Sequence, residues 1–190
     1  MTKKEARNNI KRHFSNLSTK QKINLDSKIL KNFKKFIDTS KYQKIGSYFS
    51  LNNEVSTKDL NEYLDEKGIN IFLPKISEVK NNKKLNFLEY SREDSLIENK
   101  YSVLEPSKSM NEIEIKDLDL ILIPLRAVNK NLFRLGYGGG FYDFSLSGIK
   151  PIKCLGLGYE FQIVNDFDIE PHDLKLGGLI TPEGYFKNAL

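Results

Sequence analysis

The chain has 190 residues, of which 39% are hydrophobic and 29% are charged, and it carries a net charge of +5. This length predicts one domain over residues 1–190, and no apolar run approaches the roughly 18 residues of a membrane span. Segment 1–14 is too charged for a signal peptide, and the single cysteine, Cys154, excludes an intramolecular disulfide and a cysteine-rich zinc site. We therefore expect a cytoplasmic protein that does not interact with membranes.

The first predicted helix begins with a capping box, because Thr2 is followed three residues later by Glu5. Its first turn contains Lys3, Lys4 and Arg7, and cations are unfavourable at that end of a helix dipole. These three side chains are therefore either solvated or bound to an anion that another part of the fold supplies.

A second capping box, Ser18 with Gln21, predicts the next helix, and a third helix begins at Ser56 or Thr57 and ends at Gly68. Apolar runs predict strands at 44–49, 69–73, 85–90, 118–125, 152–157 and 179–181, the second of them closed by Pro74. Segment 91–110 is expected to be irregular or partly helical, 159–167 a short helix or turn, and the tail after 181 irregular.

Helices that alternate with short apolar strands predict an α/β fold with a mostly parallel sheet and helices on both faces. Ligands of such sheets bind at the carboxyl ends of the strands. Four segments follow predicted strands directly and could converge there: Phe49–Glu54, Pro74–Lys75, the glycine-rich loop described next, and the segment from Tyr159.

The most informative stretch is RLGYGGGFYD, from Arg134 to Asp143, in which four glycines fall within 136–140. Glycines between a strand and a helix let backbone N–H groups approach a phosphate. Arg134 supplies a cation and Asp143 a possible magnesium ligand. No Gly-Lys-Ser/Thr follows, so this is not a P-loop, and Phe141 rules out the dinucleotide fingerprint. A flexible surface turn is the alternative.

These features together resemble the 5-formyltetrahydrofolate cyclo-ligase family over nearly the whole chain. The resemblance is carried, in chain order, by KKEAR (3–7), YF (48–49) with EVST (54–57), FLPK (72–75), YSVLEP (101–106), RLGYGGGFYD (134–143) and Tyr159, Gln162, His172, Asp173 and Thr181. The family usually has Pro-Gly-x-Ala-Phe-Asp before the glycine loop and a Gly two residues before the Arg. Here the chain has PLRAVN (124–129), and Leu132 stands where the family has the Gly before the Arg.

The resemblance implies a three-layer α/β/α fold of the NagB/RpiA/CoA-transferase type, with ATP and Mg²⁺ as cofactors. The implied reaction uses ATP to phosphorylate the formyl oxygen of 5-formyltetrahydrofolate, after which N10 attacks and 5,10-methenyltetrahydrofolate, ADP and phosphate are released. Arg134 and Tyr142 would be catalytic, and Asp143 and Asp173 would hold magnesium. The implied ATP-binding residues are Lys3, Lys4, Arg7, Arg134, Leu135, Gly136, Tyr137, Gly138, Gly139, Gly140, Phe141 and Tyr142. The implied folate-binding residues are Phe49, Glu54, Tyr101, Tyr137, Gly138, Gly139, Gly140 and Phe141.

Two other functions stay open from the residues alone. A basic nucleic-acid-binding protein would use its lysine-rich faces, and a nucleotide- or sugar-phosphate-handling enzyme could share the fold. We expect small-molecule partners, no nucleic acid and a monomer. His172 is not expected to act as a base, because its neighbour Asp173 carries the family match.

Overall fold

The computed structural model describes residues 1–77, 83–92, 94–99, 104–106 and 111–187. Its α-helices are α1 (Lys3–Ser15), α2 (Thr19–Phe36), α3 (Lys58–Glu66) and α4 (Phe141–Ser145). Its strands are β1 (Lys44–Gly46), β2 (Asn70–Ile76), β3 (Leu85–Tyr90), β4 (Leu96–Glu98), β5 (Leu104–Pro106), β6 (Glu112–Ile113), β7 (Leu120–Pro124), β8 (Ala127–Asn129), β9 (Arg134–Leu135), β10 (Cys154–Leu157), β11 (Ile163–Val164), β12 (Gly178–Thr181) and β13 (Gly184–Lys187).

Within these ranges, eight strands form one sheet in the order β13-β12-β10-β7-β1-β2-β3-β6. Neighbours from β12 to β2 pair in parallel, whereas β13, β3 and β6 add antiparallel edges. The mostly parallel sheet predicted from the sequence is therefore confirmed.

Strand β7 shows how the core is built on both faces of this sheet. Leu120 and Leu122 pack into one cluster with residues of α2 and α3, whereas Ile121 and Ile123 pack into a second cluster that includes Leu146, directly after α4. Alternate side chains of a strand point to opposite faces, so a continuously apolar strand must be covered twice. Helices accordingly lie on both faces, as predicted.

Both predicted capping boxes are present. The Thr2 hydroxyl accepts a hydrogen bond from the Glu5 N–H, and the Glu5 carboxylate accepts one from the Thr2 N–H. Ser18 and Gln21 make the same reciprocal pair at the start of α2. In the described residues no helix has the length and apolarity to cross a bilayer.

Several element boundaries were predicted wrongly. Strand β2 continues through Pro74. Its pairing with β1 ends at Phe72, so the side of β2 that faces β1 needs no N–H donor at Pro74. The segment expected to be irregular contains β4 and β5, paired as a ribbon, and the tail after 181 contains β13. The short helix or turn predicted at 159–167 is present as a 3-10 turn at 160–162, but β11 follows it directly.

The connection from β7 to the glycine loop also differs from the prediction, because the hairpin β8–β9 lies between them and pairs with β11. Leu132 adopts a left-handed backbone with φ of 61°, at the position where the family that the sequence resembles usually has glycine. The Asn129 amide stabilises this turn: its Oδ1 accepts the N–H groups of Asn131 and Phe133, and its Nδ2 donates to Asp166.

Candidate active site

A cavity of about 440 Å³ opens at the carboxyl ends of β1, β2 and β7. Its lining residues are Tyr48, Phe49, Leu51, Glu54, Pro74, Ile76, Leu85, Asn99, Leu104, Glu105, Pro124, Arg134, Gly136, Tyr137, Gly139, Gly140, Phe141, Tyr142 and Asp143. The volume lies within the range of small-molecule sites. Three of the four segments expected to converge contribute, but Tyr159 does not, because it is fully buried in the core and donates to Asp26.

Arg134 is the buried cation of this cavity. It lies at the start of β9 and is only 4% exposed. Its Nε donates to the Pro124 carbonyl oxygen at 2.7 Å, and its Nη1 lies 3.3 Å from both carboxylate oxygens of Asp143. The guanidinium also lies 5.0 Å from the centre of the Tyr142 ring. These contacts fix the cation at the end of β7 before any ligand binds.

The glycine loop is shaped by sterics as well as by backbone conformation. A Cβ at Gly136 would come within 2.7 Å of the Arg134 guanidinium, so a side chain there would displace the cation. Gly138 and Gly140 have φ of 108° and 74°, which favour glycine. Gly136 is thus buried against Arg134, whereas Gly138 and Gly139 are exposed.

Glu54 and Tyr48, which follow β1, form one wall with Tyr137 of the glycine loop and Tyr142 of α4. Glu54 is 5% exposed and its Oε2 accepts the Leu51 N–H at 2.8 Å. Burial raises the pKa of Glu54, although this hydrogen bond and the charge of Arg134 oppose the shift. Burial also raises the pKa values of Tyr48, Tyr137 and Tyr142, with the negative charge of Glu54 adding to the effect. These phenols are therefore neutral hydrogen-bond donors.

The family model described as the 5-formyltetrahydrofolate cyclo-ligase family matches residues 1–182. The chain belongs to this family. The cyclo-ligase of Mycoplasma pneumoniae is 30% identical over 186 residues, covering 96% of this chain and 100% of the relative. The cyclo-ligase of Haemophilus influenzae is 29% identical over 182 residues, covering 94% and 97%.

Solved structures agree with this assignment to the cyclo-ligase family. The 5,10-methenyltetrahydrofolate synthetase of Mycoplasma pneumoniae superposes with a TM-score of 0.76 and 28% identity, covering 96% of this chain and 99% of that one. The synthetase of Aquifex aeolicus reaches a TM-score of 0.83 at 24% identity, covering 98% and 93%, and shows the shared fold.

The cavity brings together most of the residues that the cyclo-ligase resemblance assigned to folate binding and to the glycine loop. Phe49 and Glu54 lie on its wall with Arg134, Tyr142 and Asp143, as do all the loop residues from Gly136 to Phe141 except Gly138. The Leu135 side chain instead packs against α1, in a cluster with Ala6 and Ile10. Tyr101 lies outside the described residues.

The basic residues of α1 lie at different distances from the glycine loop. Arg7 Nε donates to the Gly136 carbonyl oxygen at 2.9 Å, and its guanidinium lies 3.8 Å from where a Cβ at Gly138 would be. Lys3 is bound to Asp173 at 2.8 Å and to Glu170, whereas Lys4 is exposed. Burial would lower the pKa of Lys3, but the hydrogen bonds and charges of Asp173 and Glu170 outweigh it and raise that pKa.

The two aspartates predicted as metal ligands have different surroundings. Asp143 lines the cavity and also accepts the Leu174 N–H at 3.3 Å. Asp173 is held outside the cavity lining by Lys3 and by the Glu170 N–H. Among the described residues, the donor atoms of Glu170, His172 and Asp173 lie within 4.8 Å of one another, a group that does not include Asp143.

Three charged residues near the cyclo-ligase cavity were missed by sequence reasoning. Arg126 is 5% exposed and lies between the rings of Phe14 and Tyr137, at 5.7 and 5.3 Å. Lys83 Nζ lies 3.8 Å from where a Cβ at Gly140 would be. Glu105 lines the cavity from β5. Glu105 lies in one of the family-like stretches, which was the only available signal for a role.

Proposed function

We propose that this protein converts 5-formyltetrahydrofolate into 5,10-methenyltetrahydrofolate with ATP, releasing ADP and phosphate. One observation carries the proposal. In a chain of the cyclo-ligase family, a buried arginine is fixed beside a glycine loop that lines a mainly apolar cavity. Such a cavity can hold a polyphosphate against a flat heterocycle, as this reaction requires.

The reaction needs the formamide oxygen to become a leaving group, because an amide oxygen does not depart unaided. Transfer of the γ-phosphoryl group to this oxygen forms the new O–P bond and releases ADP. The folate N10 then attacks the activated carbon, the C–O bond breaks, phosphate leaves and N10 loses its proton. The protein's contribution to such a transfer is mainly positioning and charge stabilisation.

The phosphate end of the site is assigned to Arg134 and to the N–H groups of the glycine loop. Arg134 is held rigidly, so it stabilises charge on the transferred group without reorganising. Tyr142 supports the Arg134 guanidinium with its ring. Arg7 reaches the same loop from α1 and adds positive charge for the remaining phosphates. Lys4 and Lys3 lie on the same helix, with Lys3 paired to Asp173 and Glu170.

The folate end is assigned to the aromatic and acidic wall. Phe49, Tyr137 and Phe141 offer ring faces or edges to the pterin, and Glu54 offers a hydrogen-bond acceptor for its N–H groups. Tyr137 is held in place by the hydrogen bond that its hydroxyl donates to the Asn53 carbonyl oxygen at 2.9 Å.

Magnesium fits Asp143 on chemical grounds. This carboxylate faces the cavity, and its contacts with Arg134 are long, at 3.3 Å, so it can also accept a hard cation. Asp143 would hold Mg²⁺, which would neutralise charge on the triphosphate. Asp173 would join only through rearrangement of its ion pair with Lys3.

The test is a spectrophotometric assay of methenyl product from 5-formyltetrahydrofolate, ATP and magnesium, run beside Asp143→Asn. We expect turnover by the wild type that requires all three components. We expect the variant to lose most activity at low magnesium, roughly tenfold or more, because one charged ligand is removed. Asp117→Asn, an exposed site, is the matched control.

The outcomes separate the claims. A folded Asp143→Asn enzyme with unchanged rates would remove Asp143 from the metal site, while loss that no magnesium concentration restores would assign it to orienting Arg134. A wild type that ignores the formyl-folate but turns over a sugar phosphate would overturn the function itself. We also expect no binding to nucleic acid, a monomer in solution and a cytoplasmic location.

A further inference from the structure

A second buried carboxylate enters the cavity from the ribbon β4–β5. Glu105 is 7% exposed and lies among apolar lining residues that include Ile76, Leu85 and Leu104. Its Oε2 accepts a hydrogen bond from Asn99 Nδ2 at 2.9 Å and a long one from the Ile76 N–H at 3.4 Å. Burying a carboxylate in apolar surroundings is costly unless donors compensate.

These two contacts leave acceptor capacity in Glu105. An ionised carboxylate can accept about four hydrogen bonds. Because Glu105 lines the cavity, further donors can reach it from a bound ligand. A phosphate group offers no such donors and would be repelled, so the ligand group beside Glu105 must carry N–H or O–H donors.

The sheet order places this acceptor apart from the phosphate end. Arg134 is fixed on the Pro124 carbonyl oxygen at the end of β7, whereas Glu105 is fixed on the Ile76 N–H at the end of β2. Strand β1 lies between them, so the two anchoring strands are two spacings apart, or about 10 Å. The Arg134 end therefore holds a cation paired with Asp143, whereas the other end holds the Glu105 carboxylate.

The proposed substrate has the matching polarity. Its formyl group must lie next to ATP, while its 2-amino-4-oxopyrimidine ring lies at the other end of the bicycle. That ring presents the 2-amino group and N3–H as adjacent donors, which match the two oxygens of a carboxylate as an arginine fork does. Glu54 enters from the loop after β1, on a different element, so its proposed folate contact is with the N8–H of the reduced ring and not with this edge.

We propose that Glu105 is a specificity-determining residue that binds the amino-pyrimidinone edge of the pterin. The inference rests on the proposed function and extends it to a residue with no role assigned so far. Asn99 orients the Glu105 carboxylate through their side-chain hydrogen bond. Phosphate and folate are thus recognised at opposite ends of one cavity.

The experiment compares Glu105→Leu and Glu105→Gln with wild type in binding and turnover. In Glu105→Leu the Kd and KM for 5-formyltetrahydrofolate should rise about tenfold or more, since a charged hydrogen-bond acceptor is lost. The KM for ATP should stay within about twofold, because the phosphate end is unaltered. Glu105→Gln, which keeps one acceptor oxygen, should fall between them.

A folate analogue with methyl in place of the 2-amino group gives a sharper readout. Wild type should prefer the natural folate, and Glu105→Leu should lose most of that preference, because removing either partner removes the same interaction. Glu98→Gln removes an exposed charge from the same ribbon and should match wild type. If Glu105→Leu does not fold, Glu105→Gln carries the same comparison.

The inference about Glu105 is overturned if folded Glu105 variants keep their folate affinity or keep the full preference for the 2-amino group. Wild-type turnover in the same assay would leave the proposed function intact. Glu105 variants with lowered thermal stability but unchanged folate affinity would show a purely structural role for Glu105, and this result would also overturn the inference. Binding measured without ATP keeps the comparison independent of turnover. A wild type that neither binds nor converts the formyl-folate would overturn both proposals.

Discussion

Glu54 illustrates how a residue that we propose to bind folate can carry a cost in stability. Its carboxylate is 5% exposed, and burial raises its pKa above the ordinary 4.5 despite the opposing charges of Arg134 and Arg126. In the pH interval between the unfolded and folded pKa values, the folded state binds more protons. The stability contributed by this group is therefore complete below that interval and is lost as pH rises through it.

We expect Glu54→Gln to raise the melting temperature at neutral pH, because the neutral amide avoids burying a charge. The gain should shrink as pH falls through the raised pKa towards 4.5. Affinity for the formyl-folate should fall, since the charged acceptor is lost. Calorimetry over a pH series measures the stability change, with Glu114→Gln as an exposed control. A gain that is the same at every pH would contradict this account.

At the scale of elements, α1 joins the beginning of the chain to loops formed much later. Arg7 holds the carbonyl of Gly136, and Lys3 holds Asp173, whose neighbour Leu174 contacts both the Asp143 carboxylate and the backbone of Arg134. The Leu174 N–H donates to Asp143, and the Leu174 carbonyl oxygen accepts the Arg134 N–H at 2.8 Å. The position of α1 therefore bears on the geometry of Arg134.

We expect Lys3→Met to destabilise the fold by about 1–3 kcal/mol, because Asp173 loses a charged hydrogen bond in a partly buried position. The KM for ATP should rise as well, since the loop that contacts Arg134 is less firmly held. Urea unfolding and steady-state kinetics measure the two effects. Lys11→Met, on an exposed position of the same helix, should leave both nearly unchanged, and an equal effect from both variants would refute the argument.

At the scale of the whole molecule, the cavity is assembled from segments spread over residues 48–143, and α1 and the loop 170–174 support it from both ends of the chain. No short segment contains the site. Ligands that bind only the folded state should therefore stabilise the whole cooperative unit.

We expect a nonhydrolysable ATP analogue with magnesium, at about 100 times its Kd, to add roughly 2.7 kcal/mol to the free energy of unfolding. For a protein of 190 residues this corresponds to an increase of about 5–10 °C in melting temperature. A thermal shift assay measures it. Arg134→Gln should abolish most of the shift, and an equal shift in that variant would place the nucleotide elsewhere.

Local and periodic features could be predicted from the sequence. The capping boxes of α1 and α2 depend on residues three apart, and the apolar run of β7 indicates a strand buried on both faces. The glycine loop was identifiable because it is a short contiguous motif. The family resemblance, which the family model confirms, depends on the order of such motifs.

Long-range contacts decided the rest. Pairing partners placed β13 in the tail, β4 with β5, and the β8–β9 hairpin before the glycine loop, and short strands of this kind form only where a neighbour accepts their hydrogen bonds. The burial of Arg126 and the entry of Glu105 into the cavity likewise depend on residues far away in sequence. The sequence by itself determined which chemical groups are available and the local elements that carry them. Only the tertiary structure decided which charges leave water and face one another, because desolvation depends on every segment packed around a site.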